Sequence, residues 1–269
     1  MDKARLTPEV TGDRIKAYLK EGKRFDGRTP EQFRDLIIEK DVSMKAEGSV
    51  RVRLGKTEVI VGIKLGVSEP YADSPEKGNL MVTAEMLPLS SPRFESGPPK
   101  IGAIEWARVT DRGIRESGFV DFEKLCIAPG EKVWTVFVDI YSINDDGNLM
   151  DAATIGAIAA LKIAKIPKYD AEKDKVLYGE PSDALVPLTD IVPVAISVHK
   201  LGDSLIVDPT REEEDISESR TTVGSSKGTI SSLQKSNSAP LSVDEIKKVF
   251  EIAARVSEEI HDKIEKALK

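Results

Sequence analysis

The sequence predicts an α+β fold built as two similar halves. Three observations carry that expectation. Residues 48–65 alternate apolar and polar positions around Gly55-Lys56, which reads as a hairpin, and residues 192–207 repeat the pattern around Leu201-Gly202-Asp203. Each hairpin is followed by further strand and helix patterns, which hints at an internal duplication. A long amphipathic run closes the chain at 243–268. At 269 residues the chain can bury a substantial core in one large domain or two subdomains.

Residues 8–21 read as a helix, because Thr7 can cap, Pro8 suits the first helical position and Gly22 suits the end. In Arg24-Phe25-Asp26-Gly27-Arg28 the Asp-Gly pair signals a turn that two arginines can hold by ion pairing with the aspartate. Val50, Val52 and Leu54 share one face of a strand; Val59, Val61, Ile63 and Leu65 share one face of the next. A loop over 66–79 leads to an apolar strand, Asn79–Leu87, and four prolines make 88–100 an extended loop. A helix follows at about 101–117, with Ala103, Trp106, Val109 and Gly113 on its buried stripe. Lys132–Ile143 is aromatic and β-branched, hence a strand. Asp145-Asp146-Gly147-Asn148 is a turn, and Leu149–Lys165 an alanine-rich buried helix ended by Pro167.

The polar stretch 168–190, with Gly179, Pro181 and Pro187, is the expected linker. It divides the chain into an N-terminal helix and arm (1–29), a first half (30–167) and a second half (191–269). In the second half, strands are expected near 222–225 and 229–234. Ser242 and Glu245 form a capping box on the last helix, whose buried face is Ile246, Val249, Phe250, Ala253, Val256, Ile260 and Ile264.

Bulk properties narrow the function. The apolar content of 40% and charged content of 32% suit a soluble globular protein, and the Glu and Lys content resembles that of proteins from hot environments. A net charge of −7 disfavours nucleic-acid binding except through a local basic patch or a basic partner. The lone Cys126, between apolar residues, reads as a buried structural thiol and excludes an internal disulfide. His199 and His261 have no ligand-spaced partners, so neither a metal nor a cofactor is expected. The charged N-terminus lacks a signal peptide, and no run of about 18 apolar residues occurs, so a cytoplasmic location is expected. No Gly-x-Ser-x-Gly, Walker A or Gly-x-Gly-x-x-Gly motif is present.

Two stretches could carry chemistry. Arg108, Arg112 and Arg115 fall on one helix face, where guanidinium forks can grip phosphate oxygens. The plainer reading is a solvated, ion-paired face, since Glu105, Asp111 and Glu116 lie within helical reach of Arg108, Arg115 and Arg112. The acidic run 208–218 follows a strand; such carboxylates can hold a hard cation or act in acid–base work, though most such runs are solvated loops.

Arg-Phe-Asp-Gly-Arg at 24–28, Gly-Ser-Val-Arg-Val-Arg-Leu-Gly-Lys-Thr at 48–57 and Asp-Pro-Thr with its acidic residues at 208–215 resemble the RNase PH family over about residues 20–262. Gly78-Asn79-Leu80, Ser96-Gly97-Pro98-Pro99 and Gly147-Asn148-Leu149-Met150-Asp151-Ala152 are similar to the non-catalytic RNase PH-like subunit of the archaeal exosome. The resemblance implies two βαβα halves of the ribosomal protein S5 domain 2 kind. It also implies a hexameric ring, a trimer of heterodimers with a catalytic RNase PH-like partner, RNA-binding cap subunits on one face, and phosphorolysis of single-stranded RNA from its 3′ end.

Departures from that family decide the expected role. Active members read Gly-Gly-Thr-Arg, or a close variant, where this chain has Asp146-Gly147-Asn148-Leu149, so the hydroxyl and the arginine for attacking phosphate are missing. Active members also carry two aspartates six apart, where this chain pairs Asp208 with Glu214 and places Asp215 one residue later. These three are expected to be a vestigial acidic cluster, with no catalytic residue in this chain and Asp208→Asn nearly silent in catalysis. Arg108 and Arg112 are expected to grip RNA beside the partner's catalytic centre, with Arg115 on the same face. The alternatives are a phosphorolytic exoribonuclease in its own right and a stand-alone RNA-binding module.

Overall fold

A computed structural model describes residues 7–269. The charged first residues, part of the expected N-terminal arm, lie outside the described residues. Helix α1 (Glu9–Lys20) is followed by β1 (Leu36–Lys40), β2 (Gly48–Leu54), β3 (Thr57–Ser68), β4 (Asn79–Glu85), α2 (Ile101–Ser117), β5 (Cys126–Ala128), β6 (Lys132–Asn144) and α3 (Leu149–Ile163). Then come β7 (Lys165–Asp170), β8 (Lys175–Leu185), β9 (Val194–Leu201), β10 (Ser204–Val207), α4 (Arg211–Asp215), β11 (Ser219–Ser226), β12 (Thr229–Ser236) and α5 (Val243–Leu268).

The first half is one sheet in the order β1-β2-β3-β6-β4, with β5 paired to β6. The β4–α2–β6 crossover makes β4 and β6 parallel; the other pairings are antiparallel. The second half is an antiparallel sheet, β10-β9-β11-β12. Its first helix is the five-residue α4, where the first half has the long α2.

Helix α3 joins the halves. It packs on β2 and β3 of the first sheet and on β9 of the second, and thirteen of its residues are buried, from Leu149 to Leu161. Its small side chains make this possible. A Cβ on Gly156 would lie 2.6 Å from Cγ2 of Val61, so a larger residue there would push helix and sheet apart. Helix α5 covers β9, β11 and β1, and one hydrophobic core runs through both halves. A small second cluster (Ile15, Leu19, Leu201, Ile206, Ile216) fastens α1 to the second half.

The β2–β3 hairpin, β6, α2, α3 and the Ser242–Glu245 capping box form where expected. Several local expectations need correction. Thr7 does not cap α1; its hydroxyl donates to Asp215 Oδ2 at 2.8 Å, and Pro8 holds the cap position. Helix α3 ends at Ile163, and Pro167 lies within β7, in a two-stranded sheet whose edges leave its missing N–H harmless. The polar 168–190 stretch is mostly the β7–β8 hairpin, hidden in the sequence because an exposed hairpin needs no apolar alternation. Cys126 is half-buried. On α5, Ile246 is 38% exposed, because the helix begins a turn before it reaches the sheet.

Candidate RNA interface and its buried support

The acidic run is not a solvated loop. Asp208 is fully buried at the end of β10, with φ +45°, a conformation sustained only because its side chain is held from several sides. Its Oδ1 accepts from Arg34 Nη2 (2.7 Å) and Asn148 Nδ2 (2.9 Å). Its Oδ2 accepts from Arg28 Nη1 (2.9 Å), Arg34 Nε (2.9 Å) and the Arg34 backbone N–H (2.8 Å). Five donors fill a carboxylate that offers about four lone-pair sites. Burial opposes its ionisation, but the hydrogen bonds and charge of Arg34, with the charge of Arg28, outweigh burial and hold its pKa below the usual carboxylate range.

The rest of the run is used in the same way. Glu213, also buried, takes the guanidinium of Arg24 through Nε at 2.9 Å and a short Nη2 contact. Glu214 accepts the Asn148 backbone N–H at 3.0 Å and lies 3.4 Å from Arg211 Nη1. Asp215 takes Arg93 Nη2 at 2.7 Å and Arg211 Nη2 at 3.2 Å. Glu214 and Asp215 are opposed by burial, yet their arginine partners keep both pKa values below the ordinary range. The expected turn around Asp26 is held by Arg28 (Nε to Oδ2, 2.7 Å), whereas Arg24 reaches across the molecule to Glu213.

The 145–148 turn fits into this clasp. Thr57 Oγ1 donates to the Gly147 carbonyl at 2.6 Å, and Arg34 Nη2 does so at 3.1 Å. Gly147 has φ +85°, and a Cβ there would lie 2.5 Å from the Pro209 carbonyl oxygen. Gly147→Ala is therefore expected to cost several kcal/mol, since strain and a backbone clash add. Urea unfolding checks it, and an unchanged midpoint would show that the turn relaxes freely.

Among the described residues no group of three His, Cys, Asp or Glu side chains is arranged to hold a metal ion, and no helix is long and apolar enough to cross a membrane. His199 is fully buried in β9, with Nδ1 3.0 Å from Ser217 Oγ, and burial pushes its pKa down to about 3. Burial raises Asp151, at the start of α3, to about 7, although its carboxylate accepts the Ser197 N–H at 3.1 Å.

Helix α2 presents the opposite situation. Its inner stripe, Ala103, Trp106, Val109 and Gly113, is buried as expected. Arg108 and Arg112 are exposed and make no hydrogen bond or ion pair among the described residues. They stand on a ridge between two grooves. One, of about 670 Å³, lies against Val82 and Thr83 of β4; the other, of about 400 Å³, lies against Leu233 and Gln234 of β12.

The ion pairs suggested by helical spacing divide cleanly. Arg115 does pair with Asp111 (2.9 Å), donates to the Leu80 carbonyl (3.2 Å) and lies 5.7 Å from the Phe122 ring centre. Glu105 does not serve Arg108; it takes Arg220 Nη2 at 2.6 Å and the Ser236 hydroxyl. Arg112 makes no pair with Glu116. The ion-paired reading thus holds for Arg115 and fails for the other two.

Arg34, Arg93, Arg211 and Arg220 were not singled out by sequence reasoning. Their carboxylate partners lie 66–174 residues away, apart from the neighbouring Glu214 and Asp215 for Arg211, so no local spacing marks them.

Two sheets around a shared buried helix, a clasp of arginines on the 208–215 run and an arginine pair on α2 that has no partner among the described residues define a two-part α+β scaffold. The chain belongs to the RNase PH family: the 3′ exoribonuclease family domain 1 matches residues 32–167, and domain 2 matches residues 192–256. The exosome complex component Rrp42 of Thermococcus onnurineus is 45% identical, covering 100% of this chain and 99% of that one. Rrp42 of Methanocella arvoryzae is 43% identical over 96% of each. Among solved structures, a chain of the Archaeoglobus fulgidus exosome with RNA bound to the active site superposes with a TM-score of 0.87 at 40% identity, covering 95% of this chain and 98% of that one. Rice Rrp46 has the same fold, with a TM-score of 0.69 at 21% identity.

Proposed function

We propose that the chain is a ring subunit of an archaeal exosome that has no phosphorolytic site of its own and lends Arg108 and Arg112 to its neighbour's. It forms the hexameric ring as a trimer of heterodimers with a catalytic RNase PH-like subunit, carries RNA-binding cap subunits and works on single-stranded RNA in the cytoplasm. The polar 168–190 stretch separates its two family domains. The relatives named above, similar over nearly their whole lengths, support membership of that complex.

One observation carries the division of labour. The acidic residues of the 208–215 run that could bind a metal or move a proton, Asp208, Glu214 and Asp215, are already consumed by arginines within the chain. Arg108 and Arg112, by contrast, have no partner among the described residues and stand on an exposed ridge. The guanidiniums of the clasp are already engaged by its own carboxylates, whereas two exposed guanidiniums on α2 suit RNA phosphates. Arg115, restrained by Asp111, contributes charge to the same face.

The test uses 3′-labelled poly(A) and inorganic phosphate. The chain alone is expected to release no ADP, and the reconstituted ring to release it rapidly. ADP release by the chain alone would overturn the proposal in favour of an enzyme in its own right.

A further inference from the structure

The two bare arginines on α2 have an acidic neighbour that ought to compromise one of them. Glu105 lies one turn before Arg108, at the i, i+3 spacing at which oppositely charged side chains pair on a helix. It is turned away. Arg220 of β11, only 8% exposed, takes Glu105 Oε1 through Nη2 at 2.6 Å, and Ser236 of β12 donates to the same oxygen. Arg220 Nη2 also lies 3.0 Å from Ser236 Oγ, so the two partners hold each other in place. The carboxylate of a first-half helix is thus held by two residues of the second-half sheet, a charge from Arg220 and a hydrogen bond from Ser236.

We infer that Arg220, with Ser236, acts as a positioning residue that sequesters Glu105 and so keeps Arg108 free for RNA phosphate. This rests on the functional reading above. The physical case is a competition. A buried guanidinium that gives up a carboxylate leaves an uncompensated charge, whereas an exposed Glu–Arg helix pair gains little. Arg220 therefore wins Glu105 decisively. If Arg220 is removed, Glu105 is released at the i, i+3 spacing from which it can pair with Arg108 on the same helix, and a carboxylate then competes for the place of an RNA phosphate. The same brace joins α2 to β11 and β12, which bound the groove on one side of the arginine ridge. The two halves of the fold thereby set the charge presented by one helix face.

The experiment measures RNA affinity and phosphorolysis of the ring, reconstituted with its catalytic partner subunit, across a salt series. Four forms are compared with wild type: Arg220→Met, Glu105→Gln, the double variant, and Arg108→Gln as a reference. Arg220→Met should weaken RNA binding several-fold and flatten the slope of log affinity against log salt by about 0.7 for each complex site, the loss of one phosphate contact on a single strand. Glu105→Gln should not weaken binding. The double variant should recover the wild-type affinity and slope, because no carboxylate remains to occupy Arg108.

Recovery separates sequestration from a plain brace, since the double variant lacks the ion pair altogether. If the double variant stays as weak as Arg220→Met, Arg220 merely braces α2 and the inference is overturned. If Arg108→Gln itself binds RNA normally, the functional reading fails instead. Should Arg220→Met not assemble, Arg220→Gln, which keeps a donor for Ser236 without the charge, is read by the same criteria.

Discussion

Replacing Asp208 by Asn is expected to destabilise the chain by about 3–5 kcal/mol, as removal of one partner from a buried ion network does. In a chain of this size that corresponds to a fall in melting temperature on the order of 10 °C. Asn keeps the shape but turns an acceptor into a donor facing Arg28, Arg34 and Asn148. Arg28 already has one buried nitrogen, Nη2, without a partner, so the cage has no spare acceptor to offer. The expected silence of this substitution therefore survives only for catalysis. Activity of an assembled ring below the melting point should be preserved, while the denaturation midpoint falls. Thermal and denaturant unfolding decide it: a shift smaller than about 1 kcal/mol would mean that the clasp is replaceable.

Charge reversal of Arg108 and Arg112 together is expected to slow RNA degradation by the ring at least about 100-fold with assembly intact. Each guanidinium–phosphate hydrogen bond is worth about 1.5–3 kcal/mol, and each 1.4 kcal/mol is tenfold in affinity. Reversal also places two carboxylates in the RNA path. Neither side chain is tied to another described residue, so stability of the isolated chain should hardly change. Light scattering checks assembly, and phosphorolysis of labelled poly(A) checks function. Full activity in an intact ring would return this helix face to the status of an ordinary solvated surface. Arg115→Glu should do less to RNA and more to local packing, because Arg115 is bonded to Asp111 and Leu80.

Most elements were legible because local rules decide them. The β2–β3 hairpin follows from period-two alternation about Gly55, α2 from its apolar stripe and α5 from its capping box and stripe. Elements without an apolar signature were not. The β7–β8 hairpin is mostly exposed and polar, and α4 is five charged residues that read as a run. Of the candidate site, Arg108, Arg112 and Arg115 could be placed on one face from spacing alone.

What spacing could not settle was which charges cancel. Helical neighbours offered Glu105, Asp111 and Glu116 equally to the three arginines, and only the folded chain distributes them: Asp111 to Arg115, Glu105 to Arg220.

By itself the sequence determined the order of those elements that carry an apolar signature, the faces they bury and the family whose motifs it carries, since these depend on periodicity and on short contiguous patterns. The tertiary structure alone decided that Asp208 and Glu213 are buried, that the carboxylates of Asp208, Glu213, Glu214 and Asp215 are spent on arginines, and that two arginines of α2 have no partner among the described residues. Ion pairing is settled by distance and desolvation in space, and Asp208 and Arg34, 174 positions apart, meet only after the chain between them has folded back on itself.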